Sequence, residues 1–277
     1  MIGANVTPSP PAAASLYLRK LIQQSSAIVL DAHKDYLLQA RLWPLVQREG
    51  LQSWEELVTR LSGPAGVMLR QRVIEAVTTH ETSFFRDVHP FDAFRAHVLS
   101  RLAARRPGVP LNVWSAASST GQEIYSLALI AAQQGEPKVP VRFHASDIST
   151  EILARAREGR FTQLEINRGL PATYLVRYFQ GDGVDWRIKD EIRNQVEFRI
   201  VNLIGAWPAM PEMDVIFLRN VLIYFDVQTK KQILGRLAAL MKPGGLLFLG
   251  SVESTLNLCD RFRELRLGKA VCYERVG

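Results

Sequence analysis

The sequence predicts an α/β fold: a doubly wound, mostly parallel sheet, preceded by a small all-helical domain and interrupted by a short antiparallel β-ribbon. Three observations carry this expectation. From residue 111 onward, β-prone apolar runs alternate with helical ones, whereas residues 15 to about 82 show helical spacing and no strand pattern. Between the first strand and its helix lies a turn of small residues, Ala116-Ala117-Ser118-Ser119-Thr120-Gly121. With 277 residues the chain can form one α/β domain of about 200 residues and a smaller one.

Residues 1–14, rich in Pro, Ala and Ser, read as a disordered lead-in. They lack the basic start and apolar core of a secretory signal, so the sequon Asn5-Val6-Thr7 carries no weight. The helical domain spans 15–82. Leu16, Leu18, Leu21 and Ile22 mark its first helix, and Tyr36, Leu37, Ala40, Leu42 and Leu45 the second. Ser53 is a good N-cap for a third, with Glu55 and Glu56 in its first turn. Gly63-Pro64 breaks the chain before a fourth helix, Val67 to Thr79. Residues 83–110 form a linker and a connecting helix, His89 to Ala104, ending near Pro107-Gly108.

The α/β domain occupies 111–277, with strands at 111–115, 141–146, 213–218 and 245–250 and helices at 123–134, 150–157 and 227–241. Residues 160–202 break this rhythm. A helical piece, Pro171 to Tyr178, precedes Gly181-Asp182-Gly183, and strand-like pieces follow at Trp186–Ile188 and Val196–Ile200. They predict an antiparallel ribbon at about 178–200.

Composition excludes several classes. No apolar run approaches the ~18 residues of a membrane helix. Cys259 and Cys272 are the only cysteines, which fits a reducing cytoplasm and excludes a disulfide framework or a Cys-based zinc site. The five histidines have no paired spacing, so no metal is expected, and no Gly-x-Ser-x-Gly elbow is present. A net charge of +7 suits nucleic acid, a membrane surface or an acidic partner. No basic run is longer than the pair Arg105-Arg106 and none is interleaved with aromatics, which argues against nucleic acid.

The small-residue turn sits where doubly wound folds hold nucleotide-like ligands, with helix-start N–H groups facing the ligand. With Gly121 as its sole glycine it matches the dinucleotide fingerprint poorly. Asp147, at the end of the second strand, can accept ribose hydroxyls or cap the following helix. Glu123 can hold an ammonium group or merely complement the helix dipole. Arg219 and Asn220 follow a strand, at the ligand-facing edge of the sheet. The absence of proline after Asn220 argues against methylation of exocyclic base amines. Tyr224 is either a core aromatic or a hydroxyl that orients an acceptor oxygen. Thr78 to Asp87 surrounds Phe84-Phe85 with polar residues, unlike a routine helix end. Lys34, Arg41 and Arg48 recur every seven residues, as a solvated face or a docking stripe.

Six separated motifs stand in order: Thr78 to Asp87, Trp114 to Tyr125, Ala145 to Ile148, Asn202-Leu203, Arg219 to Phe225 and Lys242 to Gly250. In these the chain resembles the chemotaxis-receptor glutamate O-methyltransferases, from about residue 15 onward. The resemblance implies a class I methyltransferase fold using S-adenosylmethionine, without metal, to form methyl esters on glutamates of receptor cytoplasmic helices. It implies that His80, Thr82, Arg86, Ala116, Glu123, Asp147, Asn202, Leu203, Arg219 and Asn220 bind the cofactor, and that Arg86 and Tyr224 lie beside the reacting methyl group. It also implies that Lys34, Arg41 and Arg48 meet the acidic receptor region, and that the enzyme is a cytoplasmic monomer. The chain departs from the family pattern at His80, where many members have Asn, and at Ser251-Val252-Glu253, which replaces His-Ser-Glu. The ribbon is shorter than in members that grip a receptor's C-terminal pentapeptide, so no such binding is expected. Methylation of RNA or a small molecule, and a cofactor-sensing module without turnover, are the competing readings.

Overall fold

The computed structural model describes residues 8–105, 108–134 and 139–277. Two compact units divide the chain: Met1–Thr79 with Tyr224–Asp226, and His80–Ile223 with Val227–Gly277.

The helical unit contains α1 (Ala12–Ser26), α2 (Asp35–Arg48), α3 (Trp54–Ser62) and α4 (Val67–Val77). The expected lead-in therefore ends sooner, because Ala12–Ala14 already belong to α1; Met1–Thr7, with the sequon, lie outside the described residues. Leu18, Ile22, Leu38, Leu42, Val46, Leu57, Leu61 and Val73 are fully buried. Their four-residue spacings in α1, α2 and α3 put one apolar stripe of each helix, together with Val73 of α4, into a shared core, each side chain contributing roughly 1.5–3 kcal/mol. Ser53 caps α3, its Oγ accepting the Glu56 N–H at 3.2 Å.

The second unit opens with a continuous helical run made of α5 (His89–Ala93), a wider turn at Phe94–Val98 and α6 (Leu99–Arg105). Then follow β1 (Leu111–Ala116), α7 (Gln122–Ala132), β2 (Val141–Asp147), α8 (Thr150–Glu158), β3 (Arg160–Thr162), α9 (Gln163–Asn167) and α10 (Ala172–Tyr178). Next come β4 (Phe179–Asp182), β5 (Asp185–Ile188), α11 (Asp190–Arg193) and β6 (Val196–Ile200). The unit ends with β7 (Met213–Leu218), α12 (Val227–Leu240), β8 (Met241–Leu249), β9 (Phe262–Leu267) and β10 (Ala270–Arg275).

Seven strands form one sheet in the order β6-β2-β1-β7-β8-β10-β9. The first five pair in parallel and the β9–β10 hairpin joins antiparallel. Every residue of β1 and β7 is buried, as expected for central strands covered on both faces. The order reverses beside β1, the switch point where such sheets bind ligands at the carboxyl ends of their strands.

The ribbon differs from its expected bounds of 178–200. It is a three-stranded sheet, β3-β5-β4, completed by Arg160–Thr162, and it excludes Val196–Ile200. That segment pairs in parallel with Phe143–Asp147 as the edge strand β6. Phe161 and Phe179 from the small sheet meet Phe84 with ring centroids 5.0 and 5.8 Å away. Phe85 packs on Phe91 and stacks on Tyr174 at 5.2 Å. The paired aromatics of the linker are therefore its anchors.

Candidate functional site

The crevice forms where the chain leaves β1, β2, β6 and β7. After β1, Ala117 and Ser119 take left-handed backbone angles, φ 58° and 50°, and Gly121 reaches 95°. Non-glycine residues tolerate this conformation only under external restraint. The restraints are specific: Ser118 N–H donates to the Ser146 carbonyl at 2.7 Å, and Ser119 N–H donates to Asp147 Oδ2 at 3.0 Å. Gly121 is also needed for space, since a Cβ there would meet the Tyr125 ring at 3.0 Å and Ala156 Cβ at 3.3 Å.

Asp147 is buried at the end of β2. Its Oδ1 accepts the Ser149 N–H at 3.1 Å, while Ser149 itself is the N-cap of α8. The capping alternative thus falls to Ser149, and Asp147 braces the two crevice turns. Burial pushes the Asp147 carboxyl up; His80 and the N–H groups of Ser149, Ser119 and Ile148 oppose that rise. Three N–H groups leave about one of a carboxylate's roughly four acceptor sites for a hydroxyl donor.

Glu123, at the start of α7, does more than complement the helix dipole. Its Oε1 accepts from Ser115 Oγ at 2.7 Å and its Oε2 from Arg219 Nη1 at 3.0 Å. The Arg219 side chain is only 2% exposed. Its Nη2 donates to Asp87 Oδ2 at 2.6 Å and to the Arg86 carbonyl at 2.8 Å, and its guanidinium lies 5.6 Å over the Phe91 ring. This clamp holds a strained stretch of linker: Phe85, Asp87 and Val88 have φ of 50°, 64° and 43°. One guanidinium against two carboxylates leaves a net negative site, suited to a cationic ligand group.

Elsewhere in the linker, His80 and Thr82 are half-buried, and the His80 carbonyl accepts from Ser119 Oγ at 2.8 Å. Arg86 is half-buried and donates to the Glu81 carbonyl at 3.0 Å. Ala116 is buried at the end of β1. After β6, Asn202 Oδ1 accepts the Ile204 N–H at 3.2 Å, and the carbonyl of buried Leu203 accepts from Trp207 Nε1 and Arg236 Nη1. Arg236 stacks 4.0 Å from the Trp207 ring, which meets Trp114 edge-on. Asn220 is half-buried with φ 59°. Its Oδ1 and Ser118 Oγ are buried without hydrogen-bond partners among the described residues. Orphaned buried acceptors are rare in folded proteins, and here two stand on crevice turns.

The residues outside this set behave differently. Tyr224 belongs to the helical unit, where its carbonyl accepts the Val29 N–H at 3.1 Å. The expected stripe of Lys34, Arg41 and Arg48 does not form a single exposed face. Lys34 precedes α2 and pairs with Asp31 at 3.2 Å, while Arg48 is exposed at the end of the helix. Arg41 Nη1 donates to the Val77 and Thr78 carbonyls, both at 2.7 Å, and so caps α4. Seven-residue spacing aligns the Cα positions, but the open carbonyls of α4 draw the guanidinium inward.

Sequence reasoning missed Asp87 and Ser115 as members of the site, although both lie in motifs it singled out, and it had Ser118 only as part of the small-residue turn. Among the described residues no cluster of His, Cys, Asp or Glu could hold a metal, and no helix is long and apolar enough to cross a membrane.

Two family models cover most of the chain. Residues 16–78 match the CheR methyltransferase all-alpha domain, and residues 80–271 match the CheR methyltransferase SAM binding domain. The chain is 38% identical over 261 residues to chemotaxis protein methyltransferase 1 of Pseudomonas aeruginosa, covering 92% of this chain and 95% of that one. It is 39% identical over 249 residues to the chemotaxis protein methyltransferase of Salmonella typhimurium, covering 88% and 84%.

Proposed function

This chain belongs to the CheR methyltransferase family, and from that premise we propose that it methylates glutamate side chains on the cytoplasmic helices of chemoreceptors. It is an S-adenosylmethionine-dependent methyltransferase of chemotaxis. The observation that carries the site assignment is the buried Asp147 carboxylate, with spare acceptor capacity, together with the orphaned Ser118 and Asn220 oxygens on the turns after β1 and β7.

S-adenosylmethionine, when bound, supplies an electrophilic methyl group on a sulfonium. The crevice fits such a ligand: small side chains at Ala116 and Ala117 let it approach the backbone, and no phosphate needs a glycine-rich cradle. In this reading Asp147 accepts the ribose hydroxyls, the negative Glu123–Arg219–Asp87 cluster faces the methionine ammonium, and Asn202 and Leu203 border the adenine. His80, Thr82 and Asn220 complete the pocket. A glutamate acceptor, with a pKa of about 4.3, is already ionised at pH 7 and needs no general base. Rate enhancement then rests on orientation and exclusion of water. Arg86 fixes the linker side, and Tyr224 orients the acceptor carboxylate; both roles rest on the family resemblance. Lys34 and Arg48 are assigned to the acidic receptor region, whereas Arg41 acts through α4. The short turn between β4 and β5 is expected to bind no receptor pentapeptide.

Labelled S-adenosylmethionine offered with receptor-rich membranes or with total RNA tests the substrate class. Base-labile label on receptor supports the reading, and label on RNA alone overturns it. Tyr224→Phe is expected to keep S-adenosylhomocysteine affinity and lower turnover roughly 100-fold. Unchanged turnover removes the tyrosine from its role.

A further inference from the structure

We infer that Glu253 is a positioning residue for the methyl-donor site: its carboxylate gathers four backbone N–H groups and thereby sets the Asn220 turn. The inference rests on the methyl-donor reading given above. Glu253 lies just beyond β8 and is buried. Its Oε2 accepts from Asn220 N–H at 2.8 Å and Gly250 N–H at 2.6 Å. Its Oε1 accepts from Val221 N–H at 2.8 Å and Ile223 N–H at 3.3 Å. The partners are amides, not a cation, and together they fill the roughly four acceptor sites of a carboxylate. Glu253 has no capacity left to contact a ligand or move a proton.

What it does is hold a shape. The strand pairing of β7 ends at Leu218, residues 220–223 pair with no strand among the described residues, and Asn220 sits in the left-handed region at φ 59°. Amides left unpaired in this partly buried turn would favour its opening. Glu253 is itself held from two sides: its N–H donates to the Gly250 carbonyl at 3.0 Å, and the Tyr273 hydroxyl donates to its carbonyl at 3.4 Å. The fit is close. A Cβ at Gly250 would lie 2.7 Å from Glu253 Oε2, 2.8 Å from Asn220 Nδ2 and 2.9 Å from Asn220 N. Asn220, whose Oδ1 has no partner among the described residues, is thus presented by the ends of β7 and β8 together, with Tyr273 of β10 holding Glu253.

The polarity of the four contacts makes a sharp test. Glu253→Gln keeps the size of the side chain, but either orientation of its amide turns an NH2 group toward two N–H donors. Calorimetric affinity for S-adenosylhomocysteine and thermal melting would be measured on the full chain. Glu253→Gln and Gly250→Ala are each expected to weaken binding at least about tenfold while still melting cooperatively. Val252→Ala, on the exposed neighbour, is expected to change neither quantity. Lower melting with unaltered affinity in Glu253→Gln overturns the inference, leaving an ordinary loop anchor. No binding by the unaltered protein overturns the methyl-donor reading and the inference with it. Amide exchange on the unaltered protein needs no variant: slow exchange at Asn220, Val221 and Gly250, slower still with S-adenosylhomocysteine, is expected. Fast exchange there overturns the inference even if both variants fail to fold.

Discussion

Helix C-termini of the helical unit and the crevice turns of the α/β unit both use charged side chains to satisfy backbone groups, but with opposite sign. At those helix ends the agents are cations on carbonyls: Arg41 caps α4, and Arg70 donates to the Leu61 and Gly63 carbonyls at the end of α3. At the crevice turns they are anions on amides: Asp147 holds Ser119 and Ser149, and Glu253 holds the Asn220 turn. The sign follows from which groups lack partners. Helix C-termini leave carbonyls open, whereas turns that carry a strand toward a helix leave N–H groups open. The second difference is strain. Among the described residues the helical unit has one non-glycine residue with positive φ, Ala27, while Phe85, Asp87, Val88, Ala117, Ser119 and Asn220 all take it around the crevice. Charges in the helical unit therefore finish regular elements. Those in the α/β unit hold irregular backbone in a shape that a ligand can use.

Arg219 is a buried cation among the anions of the crevice, and it is the place to break the comparison. Arg219→Met leaves Glu123 and Asp87 unpaired and releases the strained linker. It is expected to lower unfolding stability by about 3–5 kcal/mol in urea titrations and to abolish S-adenosylhomocysteine binding. A loss below about 1 kcal/mol would show that the clamp contributes little. Next in size, Arg41→Met should lower stability by about 2 kcal/mol with cofactor affinity unchanged, because it opens the end of α4. Arg48→Ala should change neither. Equal stability losses in the two variants would restore the idea of a common stripe.

His144 sharpens the electrostatic side of the contrast. It is buried on β2, with Nδ1 3.3 Å from Glu197 Oε2 but out of hydrogen-bond alignment. Burial lowers its pKa, and the nearby Glu197 only partly opposes this. A base whose pKa is depressed on folding contributes stability above its unfolded pKa, about 6.5, and loses it as pH falls toward the folded value. Stability should therefore decline below pH 6.5 with a slope of at most about 1.4 kcal/mol per pH unit from this residue. Urea titrations of His144→Gln should show a shallower decline, and an unchanged slope would exclude His144 as its source. The smallest effect belongs to a regular helix end: Ser53→Ala should cost about 1 kcal/mol without touching the cofactor site.

Much of this was legible along the chain. Helical spacing marked α1 to α4, and apolar runs marked the central strands, because those signals lie within a few residues of one another. The turn after β1 and the acid that ends β2 marked the crevice for the same reason. The partners of Glu123 and Arg219 were not legible, since the clamp joins residues 96 and 132 positions apart. Nor was β3 foreseen: three residues are too few for a pattern, and Arg160–Thr162 becomes a strand only by pairing with β5.

By itself the sequence determined the succession of elements, the family and the ligand class, because local propensity and short motifs are properties of neighbouring residues. The tertiary structure alone decided that Val196–Ile200 joins the main sheet, that Arg41 turns to α4, and that Glu253 serves the Asn220 turn. Each of these is a choice of partner for a backbone or charged group. Such choices depend on which unsatisfied group lies nearby once the chain has folded, and sequence spacing does not encode that distance.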